Sequence, residues 1–593
     1  MKIKKTIFLV IFFLFLGVFY YLRSQGAACI TGWYDAREFE WLNKLSGIRV
    51  AGDPMSLHFY LGRIEENTLG PLTQLISGLL FAGFALVFLS ETSPRKFGFA
   101  VFLYLILTKF DVLLFPPYGD AIGGPFAEAI WLKNNGFDYS ELIHQPGYAA
   151  GGPKVYVFSV YPTYLALLMK VLPNIDLFLV VNHLFVFIMA AVIVTLFRQM
   201  MASAFSRDIA VLSAMVLLYL PLFQSQTEAI NMEIPCVLFV VLAARALMQR
   251  RIDQASWMAI LAIAVKGIGV FAGAAVLAVS ILMGLGRNPA FRWNKKTVVS
   301  LLALAAVMLF SLSVKFILKD QHVSAGMVNF FAGWPSLKVF FISRLYLWAL
   351  FIIGIGFVFQ RFLRPPQKYD VLVMMLFCTM WFLLFLNFYA VSPRYRLGAY
   401  PFLIYMVFYA GALIIRPHAL RMLGLSGIMI TALFYSYGRF DPPMTENDHV
   451  QLERSLEYRN DLKLNQLVVK TIEDKYDNYR VGAPFTIAQL LAIPEMGYTK
   501  KNLDVMIYGF SSAYGGIKNF SGMDNLDVSK TVYIGVKTAP ISDHFAYPIG
   551  PHDRIVEAIE YGNKKAELFM GGIAIEMLYR SAIFRQLQKM RNQ

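Results

Sequence analysis

Residues 116–173 read PPYGDAIGGPFAEAIWLKNNGFDYSELIHQPGYAAGGPKVYVFSVYPTYLALLMKVLP, and the rest of the chain is organised around them. An apolar run from Phe97 to Phe115 comes directly before, so Asp120 stands at the mouth of a membrane segment. Behind it, Phe126 to Asn134 has the apolar spacing of a helix, with Glu128 and Lys133 on the polar side. Gly136 is placed to stop that helix. A Gly- and Pro-rich turn, Gly147 to Pro153, then leads into a short apolar segment opening with Tyr161-Pro162. A carboxylate fixed where a helix leaves the bilayer, roofed by an amphipathic loop, suits chemistry on a lipid-borne substrate.

The composition of all 593 residues agrees, with 57% hydrophobic and only 16% charged residues. Soluble domains carry about 25% charged residues, so the deficit marks a polytopic membrane protein. The formal net charge of +16 reads as Lys and Arg held on the cytoplasmic side, not as a nucleic-acid surface. Three cysteines, Cys29, Cys236 and Cys378, supply neither a disulfide framework nor a Cys-based metal site.

The first apolar run, Thr6 to Leu22 after MKIKK, is longer than the roughly 7–15 residues of a cleaved signal core and reads as an anchor. Six basic connectors follow: Arg95-Lys96, Arg198 to Arg207, Arg245 to Arg251, Arg287 to Lys296, Arg361 to Lys368 and Arg416 to Arg421. Assigning all six to the cytoplasm puts Arg23 to Gly70, Pro116 to Asp176, Phe223 to Ile230, Lys319 to Lys338 and Tyr389 to Leu397 outside. Parity then requires that Phe158 to Leu172 lie at the interface, and that Ser256 to Met283 be a hairpin turning near Lys266-Gly267. The expectation is a polytopic α-helical membrane protein of about thirteen spans, N-terminus inside and C-terminus outside.

Beyond Tyr437 the composition turns polar. Charge clusters such as ENDHVQLERSLEYRNDLK alternate with the β-like runs YRVGAPFTIAQLL, LDVMIYGF and KTVYIGV, which predicts a C-terminal extracytoplasmic α/β domain. Three units result: a two-span extension with an outer loop over 1–96, a transmembrane catalytic part over 97–437, and the soluble part over 438–593.

Charged groups beside membrane segments are costly and are by default functional. Asp120 leads, with helix N-capping as its ordinary alternative. Lys266, in AVKGIGV, either snorkels to the interface or meets a phosphate. Glu228 and Glu233, in QTEAINMEIP, form an acidic site for a metal or for substrate hydroxyls, or else cap a helix. YAVSPRYRLGAY places Arg394, Tyr395 and Arg396 at the outer end of a span, where planar guanidinium groups suit bidentate phosphate binding. Lys154 and His322 read first as ordinary loop residues, with contact to an anionic head group as the alternative. There is no GxxxxGK[ST] loop, no HExxH or CxxC pattern and no serine nucleophile elbow.

From Phe97 to Tyr437 the chain resembles the GT-C class of membrane glycosyltransferases, in particular protein O-mannosyltransferases and lipid A aminoarabinose transferase-like enzymes. The resemblance rests on GDAIGGPFAEAIWLKNNG, YPTYLALLMKVLP, PLFQSQTEAINMEIPCVLFVVLAARALMQRR, AILAIAVKGIGVFAGAA and SPRYRLGAYPFLIY, taken in that order. It implies transfer of a sugar from a polyprenyl-phosphate carrier to a lipid, glycan or protein acceptor, on the outer face of a bacterial inner membrane. It implies Asp120 as the catalytic or acceptor-orienting carboxylate, and Lys266, Arg394 and Arg396 at the carrier phosphate. Two departures stand out. Ala121 replaces the second acidic residue that often follows the loop aspartate, which weakens the case for a divalent metal cofactor. The earlier loop carries GWYDAREFEWLNKL, making Asp35 an alternative catalytic residue.

Two other classes remain open at this level. A secondary transporter or lipid flippase calls for intramembrane acids, broken helices and a repeated half, and Lys109 and Asp111 are the few charges near a span end. A glycan polymerase or ligase would use outer-face arginines without a catalytic aspartate.

Overall fold

The structure, a computed structural model, describes residues 2–32, 69–119, 121–142, 144, 157–285, 294–317, 365–387, 393–415, 417–437, 455–483, 485–507, 531–538, 553–561 and 564–571. Asp35, Asp120, Lys154 and His322 lie outside these residues.

The described chain is mostly helical. Its N-terminal half runs α1 (Lys2–Gly32), α2 (Gly70–Phe84), α3 (Pro94–Thr108), α4 (Ala127–Asn134), α5 (Val160–Val171), α6 (Ile175–Ala202), α7 (Arg207–Tyr219) and α8 (Pro221–Glu228). It continues through α9 (Glu233–Met248), α10 (Ile252–Val265), α11 (Val270–Leu285), α12 (Lys295–Ile317), α13 (Pro365–Asn387), α14 (Tyr400–Ile414) and α15 (His418–Phe434). Among the described residues four helices are long and apolar enough to cross a membrane, or five if the pair α7 and α8, bent by 61°, counts as one. Six shorter apolar helices accompany them among the described residues. Side chains such as Ile7, Phe8, Ile11, Leu14 and Phe15 of α1 are more than half exposed. A continuous apolar surface of that kind belongs in hydrocarbon, not in water.

Several local features follow from sequence. Asn134 ends α4, and Gly136 takes a left-handed φ of +64°, the conformation that lets a chain leave a helix without a Cβ clash. Glu128, expected on the polar side of α4, is instead fully buried, because α4 packs under α5 and leaves little of its surface to solvent. The helical run of residues 252–285 breaks at Lys266, whose φ of −151° and ψ of 130° are extended, and α10 and α11 pack on each other across that break. The segment around Tyr161 is the 12-residue α5, too short to cross alone.

Residues 458–571 bring the only strands among the described residues. Helices α16 (Tyr458–Lys475) and α17 (Phe485–Ala492) accompany strands β1 (Arg480–Ala483), β2 (Val505–Ile507), β3 (Thr531–Thr538), β4 (Asp553–Tyr561) and β5 (Lys564–Gly571). The sheet order is β2-β1-β3-β5-β4. Strands β2, β1 and β3 are parallel, and β5 joins antiparallel to both β3 and β4. The run YRVGAPFTIAQLL is not one strand: residues 480–483 are β1 and residues 485–492 are α17.

Candidate functional site

Two clusters of buried charge lie among the apolar helices, and both are assembled from residues distant in sequence.

The first is built on Glu233, the opening residue of α9. Its Oε1 accepts a hydrogen bond from Lys266 Nζ. The same oxygen lies 3.1 Å from Arg394 Nε. The Tyr395 ring completes the group, with Lys266 Nζ 4.5 Å from its centroid and the Arg394 guanidinium carbon 5.5 Å away. Glu233, Lys266, Arg394 and the neighbouring Arg396 are all buried. Each arrives by a different backbone device. Lys266 occupies the helix break, Glu233 a helix start, and Arg394 the short 3-10 helix Pro393–Gly398 that packs on α9. Two cations share one carboxylate oxygen, which sets an ammonium and a guanidinium side by side, donors of the kind that hold an anion through charge-assisted hydrogen bonds.

The 3-10 helix is held down by Trp381 of α13, whose Nε1 donates to the Tyr395 carbonyl at 2.9 Å. Gly398 makes this approach feasible, since a Cβ there would stand 2.0 Å from Trp381 Cζ2. Gly398→Ala must push the indole or the 3-10 helix aside, with an overpacking cost of about 1–3 kcal/mol. Thermal unfolding of the purified variant should show a lowered midpoint, and its near-ultraviolet circular dichroism should report a displaced tryptophan.

The second cluster surrounds Glu228, the last residue of α8. Its carboxylate accepts from Lys109 Nζ, from Arg459 Nε at 2.9 Å and Nη2 at 2.8 Å, and from the Tyr458 hydroxyl at 3.1 Å. Arg459 also reaches Asp111 through Nη1 at 3.1 Å. His183 Nε2 lies 3.0 Å from the Glu228 carbonyl, tying α6 to the same point. Burial works against the Arg459 charge, but Asp111 and Glu228 outweigh it and hold its pKa well above the ordinary arginine value. Arg459 and Tyr458 open α16, so the C-terminal part plugs directly into the helical body.

That part also grips the Pro116 loop. Tyr118 donates to Asp461 Oδ2 at 2.5 Å and Tyr498 donates to the Pro117 carbonyl at 2.9 Å. Burial pushes the Tyr498 phenol pKa well up, with Asp461 adding to the shift. Beyond Asp120, residues 122–126 lie against α17.

Of the residues singled out in sequence, the structure brings Lys266, Arg394 and Tyr395 together and adds Glu233 to them. Glu228 and Glu233, read as one acidic pair, serve different partners. Among the described residues no group of three His, Cys, Asp or Glu side chains is placed to hold a metal. The sequence reading missed Tyr458 and Arg459. Lys109 and Asp111 carried a signal, since charges at a span end call for partners, but nothing in EYRND points to Glu228.

No protein-family model matches the chain, and no curated protein matches it. Among solved structures, the crystal structure of ArnT from Cupriavidus metallidurans bound to undecaprenyl phosphate is similar over 79% of this chain and 97% of that one, with 11% identity and a TM-score of 0.43. The apo-state crystal structure of the same protein is similar over 80% and 98%, with 12% identity and a TM-score of 0.45. This is a likeness in outline, at an identity too low to transfer residues.

Proposed function

We propose that this protein is a membrane glycosyltransferase, moving a sugar from a polyprenyl-phosphate carrier to a lipid, glycan or protein acceptor at the outer face. The observation that carries the reading is the convergence of Lys266 and Arg394, beside the Tyr395 ring, on a single buried carboxylate oxygen. A carrier phosphate entering there would gain two cationic donors, and these donors stabilise the charge that grows on phosphate as the glycosidic bond breaks. Arg396, buried two residues further on, is the reserve donor. The phosphate leaves as a stable anion, so no strong general acid is called for. Asp120 accepts the proton of the acceptor hydroxyl, or orients it, as the new bond forms. Glu228 takes no part in phosphate binding in this scheme; Lys109, Arg459 and Tyr458 already engage its carboxylate.

The same engagement argues against a transporter that cycles a proton on an intramembrane acid. The broken helix α7–α8 and the buried Glu228 fit that class in outline, but a carboxylate clamped by two cations is a poor proton carrier at neutral pH.

Asp120→Asn tests the reaction. The amide keeps the size and can still cap a helix, but it cannot accept a proton, so transfer should vanish while yield and melting midpoint stay near wild type. Inactivation by Asp35→Asn instead would move the catalytic role to the earlier loop. Parallel loss of folded protein would reduce Asp120 to a cap. Topology is checked separately: a reporter fused after Gln593 should lie outside the cytoplasm and one within 287–296 inside, and the reverse result at Gln593 would remove the outer-face site.

A further inference from the structure

The Glu233 carboxylate is only half used by the ion cluster. Its Oε1 takes both cations, while Oε2 has no hydrogen-bond partner among the described residues. Asn182 of α6 is in the same state at both ends of its amide, and so is the hydroxyl of Tyr161, near the start of α5. Exposure is 2% for Glu233, 0% for Asn182 and 3% for Tyr161, so bulk water does not take the place of a partner.

These groups share one neighbourhood. The Tyr161 hydroxyl faces the Asn182 amide and stands within the field of the Glu233 carboxylate. Packing brings them there: α6 lies along α9, and α5 touches both α6 and α10. Asn182 and His183 are consecutive on α6 and leave it about 100° apart, so His183 serves the Glu228 carbonyl while Asn182 meets Tyr161. An amide carries two donors and an acceptor oxygen, and a phenol can both donate and accept. Even a bond between Asn182 and Tyr161 would therefore leave capacity over. Buried polar groups without partners are costly, and proteins keep such exceptions where function needs them.

We propose that Tyr161, Asn182 and Glu233 Oε2 form a subsite for the hydroxyl groups of the donor sugar, and that this subsite selects the sugar. The assignment rests on the glycosyl-transfer reading above. Glu233 joins the two halves: one oxygen aligns the cations for the phosphate, and the other is offered to the sugar that the phosphate bears. A sugar hydroxyl both donates and accepts. It can donate to Glu233 Oε2, which only accepts, and it can accept from the Asn182 amide or the Tyr161 hydroxyl. A prenyl or acyl chain has neither capacity and would leave all of these atoms unpaired. Sites that hydrogen-bond a substrate hydroxyl discriminate strongly against an analogue lacking it.

The test measures retention of polyprenyl phosphate, bare or carrying glucose, mannose or xylose, by the full-length protein in detergent. Wild type should retain at least one glycosylated carrier about tenfold more tightly than the bare carrier, the effect of one hydrogen bond to a charged group. Tyr161→Phe/Asn182→Leu should lose that preference yet hold the bare carrier as wild type does, because the cations on Oε1 are untouched. Its melting midpoint should equal or exceed that of wild type, since unpaired polar groups have been replaced by apolar ones. Tyr161→Phe alone deletes one oxygen and should reduce the preference severalfold at an unchanged midpoint. Equal retention of bare and glycosylated carriers by wild type would overturn the proposal, as would a preference that survives in the double variant. A lowered midpoint in Tyr161→Phe, or equal weakening of bare and glycosylated carriers, would give these groups a structural role and overturn it too. Failure of wild type to retain any carrier would bring down the transfer reading itself, and the subsite with it.

Discussion

Glu228→Ala should destabilise this protein by about 3–5 kcal/mol, the penalty for stranding buried charges whose partner has gone. Lys109 and Arg459 would both lose the carboxylate they share, inside a region where neither can recover water. Asp111 would retain Arg459, but Lys109 would keep only the Gln224 carbonyl, at 3.5 Å, in place of a carboxylate. The expected result is a large drop in the thermal midpoint of detergent-purified protein, with little of the variant folded at physiological temperature. A double variant, Lys109→Met with Glu228→Leu, should recover much of the loss, because an apolar pair of similar volume avoids the desolvation of two ions. Recovery would show that the cluster is structural. If Glu228→Ala melts like wild type, the carboxylate is not buried with these partners.

Arg394→Lys should lower turnover roughly tenfold to a hundredfold while leaving the fold intact. Lysine keeps the charge but loses the planar fork that lets one side chain hold a carboxylate and a phosphate together. The loss corresponds to about 1.5–3 kcal/mol, the range for a hydrogen bond to a charged group. It should appear in kcat as well as in carrier affinity, since the phosphate gains charge on the way to the transition state. Titration of polyprenyl-phosphate sugar against purified protein checks this, with Arg396→Lys alongside. Near wild-type rates for both variants would remove the arginines from the phosphate site and leave Lys266 alone there.

What could be read from sequence was what short-range pattern encodes. The helix of residues 127–134 and its glycine stop follow from spacing within a dozen residues, while the break at Lys266 and the short α5 were required by the parity of the basic connectors. The cationic character of Lys266 and Arg394 was legible too, because charges near a membrane span are conspicuous. Their common partner was harder. Glu233 looked like a second member of a pair with Glu228, since only four residues lie between them in the chain. The start of α9 instead gives Glu233 its own environment. Arg459 lay beyond reach: it sits in a polar, charge-rich stretch where any arginine reads as a solvated surface residue, and its burial depends on packing set 231 residues earlier. The polar reading of Glu128 failed for a related cause, because it lies on the covered part of a short helix that keeps only its Lys133–Asn134 end towards solvent.

The insertion of Arg459 also fixes an order of assembly. Ribosomes add about 5–20 residues per second, so the 231 residues between Glu228 and Arg459 take roughly 10–50 s to synthesise. During that interval Lys109, Asp111 and Glu228 are at the membrane without Arg459, the residue that joins both carboxylates. The helical body is therefore made before it is finished, and its last structural component is delivered by the part of the chain that follows it. A nascent chain halted after residue 437 would lack the guanidinium that joins Glu228 to Asp111.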